Sequence, residues 1–373
     1  MQRLLVLLVL VLIAVSAFYS VIKTSPTPYQ WQLPEGFPQP NVPADNPMTE
    51  EKVALGRALF FEPGLSGNGA MSCSTCHMPE HAFAEPRLTS SGSTGEPVRR
   101  NALALVNVAY NGSLTWAHSG LKTIEQQLLI PLFGEHPIEM GITGNEEKVL
   151  ARFATDDYHA MFNAAYGDNS ITFDRIVKAL ASYVRSLVSF NSAFDDYAYR
   201  QIDGALSPSE LRGMELFFSE RLECFHCHGG FNFTQSSQHA FQQLDLKPFH
   251  NTGLYNLDGK GSYPDRDQGL IEITLEPRDM GRFRAPTLRN IAQTAPYMHD
   301  GSLPTLDAVI AFYAAGGRGE GVNSPLKSPF MQGFELTPEQ HTDLKAFLLS
   351  LTDHKFLRDP RVHAPLNPPT IRD

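Results

Sequence analysis

Cysteine occurs four times in this 373-residue chain, and every copy lies in a C-x-x-C-H motif, MSCSTCH at 71–77 and LECFHCH at 222–228. Two cysteines three positions apart sit on one turn of backbone, so both sulfurs reach the same edge of a planar group. The histidine that follows aims its imidazole at the centre of that plane. This is the arrangement for covalent c-type haem, with two thioether bonds and a proximal iron ligand. Competing uses of the pattern fit less well. Zinc ribbons set their C-x-x-C pairs roughly 15–20 residues apart, and these two motifs are far more distant. A thioredoxin-like redox pair needs one motif and leaves the histidine idle. Structural disulfides would not confine both pairs to the same pentapeptide. The expectation is two covalently bound haem c groups, attached through Cys73, Cys76, Cys224 and Cys227, with His77 and His228 as proximal ligands.

The chain is long enough for two domains of ordinary size. Its composition, 42% hydrophobic and 19% charged, is that of a soluble globular protein. A net charge of -10, with no basic run and no P-loop, argues against nucleic acid and anionic membrane surfaces and is compatible with a basic partner. Residues 1–23, MQRLLVLLVLVLIAVSAFYSVIK, carry an apolar run from Leu4 to Ile22 behind a positive charge and read as a signal peptide or a membrane anchor. Val15-Ser16-Ala17 offers a small-residue cleavage site, although the run is long for a cleaved signal. Either reading exports the remainder to the periplasm, where c-type haem is attached. Residues 24–47 are Pro-rich and expected to form an extended arm, not a packed element.

The approaches to the two motifs match. Thr49 with Glu50 and Glu51, and Ser207-Pro208-Ser209-Glu210, each open a helix with a capping residue and an acidic first turn. Both continue as G-x-x-L-F-F, Gly56 with Phe60-Phe61 and Gly213 with Phe217-Phe218. Apolar helices look alike in general, but a shared motif ahead of each C-x-x-C-H suggests duplication. Helical periodicity occupies 145–166 and 172–200 and returns at 304–315 and 337–351, the last opened by Thr337-Pro338-Glu339. The stretch 229–285, rich in Gly, Pro, Asp and Asn, reads as a long loop region. The expected fold is mainly α, two c-type cytochrome domains related by duplication, with long loops and little strand. Domain boundaries are placed at 48–200 and 201–355, followed by a tail at 356–373.

Together with the two C-x-x-C-H motifs, RRNALALVNVAYNGSLTW at 99–116 and RAPTLRNIAQTAPYMHDGSLPTL at 284–306 resemble the bacterial di-haem cytochrome c peroxidase and MauG family, over residues 47–352. Within it, LPEGFPQPNVPADNPMTEEKVALGRALFFEPGLSGNG looks most like the MbnH branch, whose members act beside a copper-associated partner protein. The resemblance places Trp116 between the two haems, where an indole can relay an electron or hold a radical; a buried aromatic that merely fills space is the plainer use of such a ring. The family usually continues with Asp-Gly-Arg, whereas Ala117-His118-Ser119 follows here, which bears on the local hydrogen bonding. Asn101, Thr294 and Pro296 match the family's calcium site between the domains. One amide side chain and two main-chain carbonyls supply oxygen, which suits a hard cation.

The same resemblance separates the two irons. In ordinary peroxidases of the family a histidine downstream of the first haem motif closes the sixth position until reduction. Residues 86–100, PRLTSSGSTGEPVRR, contain no histidine, and His81 follows His77 too closely to reach the opposite face. The first haem is therefore expected to be five-coordinate and open to peroxide. TIEQQLLIPLFGEHPIEMG supplies Gln127, Pro131 and Glu139 at positions resembling the distal pocket, Glu139 to shuttle the proton and Gln127 to steer peroxide or water. At the second haem, TLDAVIAFYAAGG at 305–317 carries Tyr313 where ordinary family peroxidases place methionine and MauG places tyrosine. Tyrosinate favours the higher oxidation states of iron, whereas methionine raises the potential. The alternative is that Tyr313 packs beside Val309 and Phe312, leaving Met298, Met331 or His299 to ligate.

Three functions compete. A MauG/MbnH-like enzyme would use hydrogen peroxide to form a two-ferryl state and oxidise an aromatic residue, tryptophan, on a copper-associated partner protein. A cytochrome c peroxidase would reduce hydrogen peroxide with electrons from a small cytochrome or copper protein. A di-haem electron carrier would need both irons six-coordinate, and would have no use for a distal-pocket segment.

Overall fold

The computed structural model describes residues 26–239 and 248–372. The N-terminal segment read as signal or anchor lies outside the described residues, and no helix among those described is long and apolar enough to cross a membrane. In chain order the helices are α1 (Glu50–Phe60), α2 (Ile124–Phe133), α3 (Glu146–Arg152), α4 (Asp156–Tyr166), α5 (Phe173–Ser186) and α6 (Ala193–Ala198). These are followed by α7 (Pro208–Phe217), α8 (Phe225–His228), α9 (Ile271–Thr274), α10 (Leu306–Ala314), α11 (Pro338–Ser350) and α12 (His354–Arg358). Among the described residues, the strands are β1 (Phe249–His250) and β2 (Phe283–Arg284), paired antiparallel. The fold is mainly α, as the sequence predicts.

The repeated G-x-x-L-F-F motif has a packing reason. A Cβ on Gly56 would stand 1.9 Å from the main-chain oxygen of Ala179 and 2.9 Å from Cβ of Tyr183, so only glycine lets α1 cross α5 at this distance. A Cβ on Gly213 would stand 1.9 Å from the oxygen of Asp343 and 2.9 Å from Cβ of Phe347, the same crossing between α7 and α11. The phenylalanines repeat the pattern: Phe60 meets Tyr183 with ring centroids 5.2 Å apart, and Phe217 meets Phe347 at 5.2 Å. Each half thus builds one apolar cluster around its helix pair, and each fully buried aliphatic or aromatic side chain contributes about 1.5–3 kcal/mol.

Helix caps explain where the predicted helices break. Thr155 caps α4 by accepting from Tyr158 N, so the periodic stretch 145–166 becomes two helices. Ser192 caps α6 in the same way and divides 172–200. Among its described residues the loop region 229–285 is irregular as expected, apart from the short strands, α9 and a single 3-10 turn at Pro277–Asp279. Two terminal segments are more engaged than the sequence suggests. The Pro-rich arm has no helix among its described residues but packs Phe37 against Phe190, Tyr199 and Phe231. Beyond residue 355 the chain folds back on the first half: Phe356 and Val362 join its core, and Arg57 donates to the carbonyls of Pro360 and His363 at 2.6 Å. A buried, bidentate Arg289–Asp195 pair (2.9 and 2.8 Å) ties the 284–306 segment to α6.

Candidate active site

Each C-x-x-C-H forms the same tight turn. His77 N donates to Cys73 O and His228 N to Cys224 O, both at 3.0 Å, which brings each histidine back over its cysteine pair. Each imidazole is then oriented by a main-chain carbonyl. His77 Nδ1 bonds Phe83 O at 2.8 Å, and His228 Nδ1 bonds Phe233 O at 3.2 Å and Pro286 O at 3.1 Å. Phe83 and Phe233 are themselves equivalent, both fully buried and both in the left-handed region at φ 62° and 50°. With Nδ1 so engaged, Nε2 keeps its lone pair for a metal. Burial lowers the pKa of His77 and brings His228 down to about 4, which keeps both rings neutral. The intervening His226 turns to Glu223, 2.7 Å away, and stacks on Phe330.

The thiols are half-buried and not activated. Desolvation pushes Cys73, Cys224 and Cys227 up to about 12, the opposite of a redox-active C-x-x-C.

The second motif opens onto a cavity whose wall includes Cys224, Cys227, His228, Trp116 and Tyr313. The lining is mostly apolar, as a porphyrin requires. Met298, Met331 and His299, the alternative ligands, line the same cavity. Burial raises the Tyr313 hydroxyl above its ordinary range, with Cys227 and Cys224 adding to the effect, so it needs a metal cation to ionise. Arg284 supplies the sharpest test of fit. It is 4% exposed; its Nε donates to Thr115 O at 2.7 Å and its main-chain N–H to Trp116 O at 2.7 Å. Its Nη1 is buried with no hydrogen-bond partner among the described residues, and burial draws the guanidinium down to about 10. A buried guanidinium nitrogen without a partner is costly; the carboxylate edge of a haem bound in this cavity would supply one.

Trp116 is held on the wall of the second cavity. Its Nε1 donates to Asn101 O at 2.8 Å, and both residues line the second cavity. The segment after Asn101 serves both sites: Leu103 lines the second cavity while its main chain hydrogen-bonds the His77 imidazole. Where the family continues Asp-Gly-Arg, His118 instead turns inward on its own loop, its Nδ1 accepting from Gly120 N and Leu121 N. Asn101, Thr294 and Pro296 all line the same cavity. The Asn101 amide nitrogen donates to Arg87 O and Leu88 O, which leaves its Oδ1 free to face a cation.

At the first motif, α2 and the segment after it form one wall. Gln127 and Pro131 lie one turn apart and share a face. Met140 N donates to Pro131 O at 2.9 Å, and Ser93 N to Glu139 O at 2.7 Å, so Glu139 is fixed between α2 and the loop 86–100. Gly92 permits this contact, since a Cβ there would lie 1.8 Å from Ile138 O. Burial raises the Glu139 carboxyl, and its charge reaches both Cys73 and Cys76. Gln127 Oε1 is buried without a partner among the described residues, as a group awaiting a ligand would be. His81 bonds Gln293 O. Glu85, fully buried and bonded to Ser90, is a further carboxyl beside Cys76. Neither Glu85, Arg284 nor His250, which bonds Gln235 at 2.8 Å in the second cavity, stands out in the sequence, because isolated charges in loops carry no periodic or spacing signal.

Comparison with known proteins identifies the family and the fold. Residues 50–203 match the family model for di-haem cytochrome c peroxidase. The chain is 33% identical to cytochrome-c peroxidase IdrP1 of Denitromonas iodatirespirans, over 89% of this chain and 90% of that protein. It is 31% identical to the methylamine utilization protein MauG of Methylophilus methylotrophus, over 94% of this chain and 97% of that one. The crystal structure of a MauG-like protein associated with microbial copper homeostasis superimposes with a TM-score of 0.88 and 46% identity, covering 91% of this chain and 100% of the other. With two haem-attachment motifs built alike, the chain belongs to the di-haem cytochrome c peroxidase and MauG family of hydrogen-peroxide-dependent oxidoreductases.

Proposed function

We propose that this enzyme is of the MauG type, using hydrogen peroxide to oxidise an aromatic residue, tryptophan, on a partner protein. The observation that carries the reading is Tyr313, in the wall of the cavity that holds Cys224, Cys227 and His228. The haems, when bound, supply peroxide reduction and storage of the resulting oxidising equivalents. Around them, Gln127 positions peroxide, Glu139 accepts and returns its proton through a carboxylate oxygen, and Trp116 carries electrons between the sites. Asn101, through its side chain, and Thr294 and Pro296, through main-chain oxygens, are proposed to hold one calcium ion between the halves. The likeness to a MauG-like protein associated with copper homeostasis supports a copper-associated partner. Activity is proposed in the periplasm, the N-terminal segment acting as export signal or anchor.

Met298 and Met331 on the same cavity favour a second reading, a cytochrome c peroxidase drawing electrons from a small redox protein. The two are separated by adding peroxide to the fully oxidised holoprotein and recording the near-infrared region. A charge-resonance band between the haems supports the MauG-type reading. A silent spectrum, with rapid turnover of reduced cytochrome c, overturns it.

A further inference from the structure

An oxidising equivalent held in the second cavity needs a route to the surface, and one row of aromatic rings supplies it. Phe283 and His299, both lining the cavity, stack with ring centroids 3.6 Å apart and planes 10° apart. Tyr263 follows, 6.0 Å from the Phe283 ring and 6.2 Å from the His299 ring. Tyr255 comes next, its ring 5.4 Å from that of Tyr263. Tyr263 is 2% exposed, whereas Tyr255 is half-buried and lies two residues before Leu257, which is 64% exposed. The row therefore begins at the cavity and ends at the surface.

The two tyrosines differ in what can take their protons. Oxidising a phenol by one electron makes its proton strongly acidic, so the step is easy only where a base already accepts the hydrogen bond. Tyr263 donates to the amide oxygen of Asn251 at 3.0 Å, and an amide is not a base. Tyr255 donates to Asp300 Oδ2 at 2.6 Å, a short charge-assisted bond to a carboxylate. Asp300 is held ready by Ser302 N on its other oxygen at 3.0 Å. Arg318 lies 4.7 Å over the Tyr255 ring and donates to Ser302 Oγ at 2.8 Å, which fixes the group from the opposite side.

We propose that Tyr255, with Asp300 as its proton acceptor, is the surface end of an electron relay running through Tyr263 and the Phe283–His299 stack to the second cavity. This rests on the peroxide-dependent reading given above. Tyr255 passes one electron toward the cavity, where it reduces one of the oxidising equivalents derived from peroxide, and its phenolic proton moves to Asp300. The Tyr255 radical then takes one electron from the external donor, an aromatic side chain of a partner protein, and the proton returns from Asp300.

The test uses holoprotein grown with ring-deuterated tyrosine, mixed with hydrogen peroxide without donor, freeze-quenched and examined by EPR. A tyrosyl signal with deuterium-narrowed couplings is expected in the wild type. It should fall at least fivefold in Tyr255→Phe and in Asp300→Asn, while the optical response of the haems to peroxide is retained. Tyr199→Phe, a half-exposed tyrosine packed on Phe37 away from this row, is expected to leave the signal unchanged. A wild type that responds optically but shows no tyrosyl signal overturns the relay, as does a signal of equal size in Tyr255→Phe; the functional reading survives both. Absence of any haem response to peroxide, in wild type and variants alike, overturns the functional reading and the relay with it.

Discussion

Trp116 Nε1 donates to the main-chain oxygen of Asn101 at 2.8 Å, so the ring proposed as the relay between the two sites is fixed by a residue of the proposed calcium site. Trp116→Phe removes this bond and keeps the aromatic filling. A net loss of about 1 kcal/mol in stability is expected by chemical denaturation. The near-infrared band should disappear and partner oxidation should slow at least tenfold. Chelating calcium with EGTA should weaken the same band reversibly in the wild type. A Phe variant with an intact band removes Trp116 from the relay.

Gly56→Ala and Gly213→Ala test the duplicated helix crossings. Each added methyl would meet a main-chain oxygen at 1.9 Å, where no side-chain rotation relieves it. Overpacking of this kind costs roughly 1–3 kcal/mol, and backbone against backbone belongs at the top of that range. Both variants should lose stability by similar amounts in denaturant titrations of the holoprotein. An alanine tolerated without cost at either position argues against the shared crossing.

These glycines show what the sequence makes legible. Covalent attachment and close helix crossing each demand particular residue types at fixed local spacing, so C-x-x-C-H and G-x-x-L-F-F are readable without a fold. Helix starts at Thr49, Ser207 and Thr337 are legible for the same reason, since a cap acts within three residues. Arg284 is not. Its importance comes from burial beside Trp116 and a cavity, contacts made across 169 positions of chain to Thr115. The fold-back beyond residue 355 is equally hidden, because Phe356 and Val362 pack on helices from the opposite end of the sequence.

Arg284→Gln removes the buried cation and keeps a donor. Positive charge beside a haem favours its reduced state, so the midpoint potential of the second haem should fall by roughly 60 mV, a tenfold change for a one-electron couple. Spectroelectrochemical titration resolves this, and Arg284→Lys should recover part of the shift. An unchanged potential in Gln would separate the guanidinium from the haem carboxylates.

Tyr313→Met substitutes a thioether for the phenol at the second cavity. The EPR of the oxidised protein should retain the high-spin signal of the first haem while the low-spin signal of the second changes to His–Met character. Methionine raises the potential, so that haem should become easier to reduce and the near-infrared response to peroxide should be lost. Unaltered low-spin parameters would mean that Met298, Met331 or His299 is the ligand in the wild type.

Glu139, the proposed proton acceptor, is expected to set the pH dependence of the reaction with peroxide. The carboxylate is the form that accepts a proton, and burial raises its pKa above the ordinary value of 4.5. As pH falls through that raised value, the accepting form is lost, so the rate should drop on the acid side at a pH above the usual carboxylate range. Glu139→Gln cannot accept the proton; it should react about 10²–10⁴-fold more slowly, the range for a positioned acid–base group, and its residual rate should not show this acid limb. Stopped-flow recording of the haem absorbance against pH distinguishes the two. Gly92→Ala, which would force Ile138 away from the loop 86–100 and displace Glu139 without altering its chemistry, should slow the reaction yet keep the limb, because the same carboxylate still titrates. A Gln variant that keeps the limb assigns it to another group, such as Glu85, the further buried carboxyl beside Cys76.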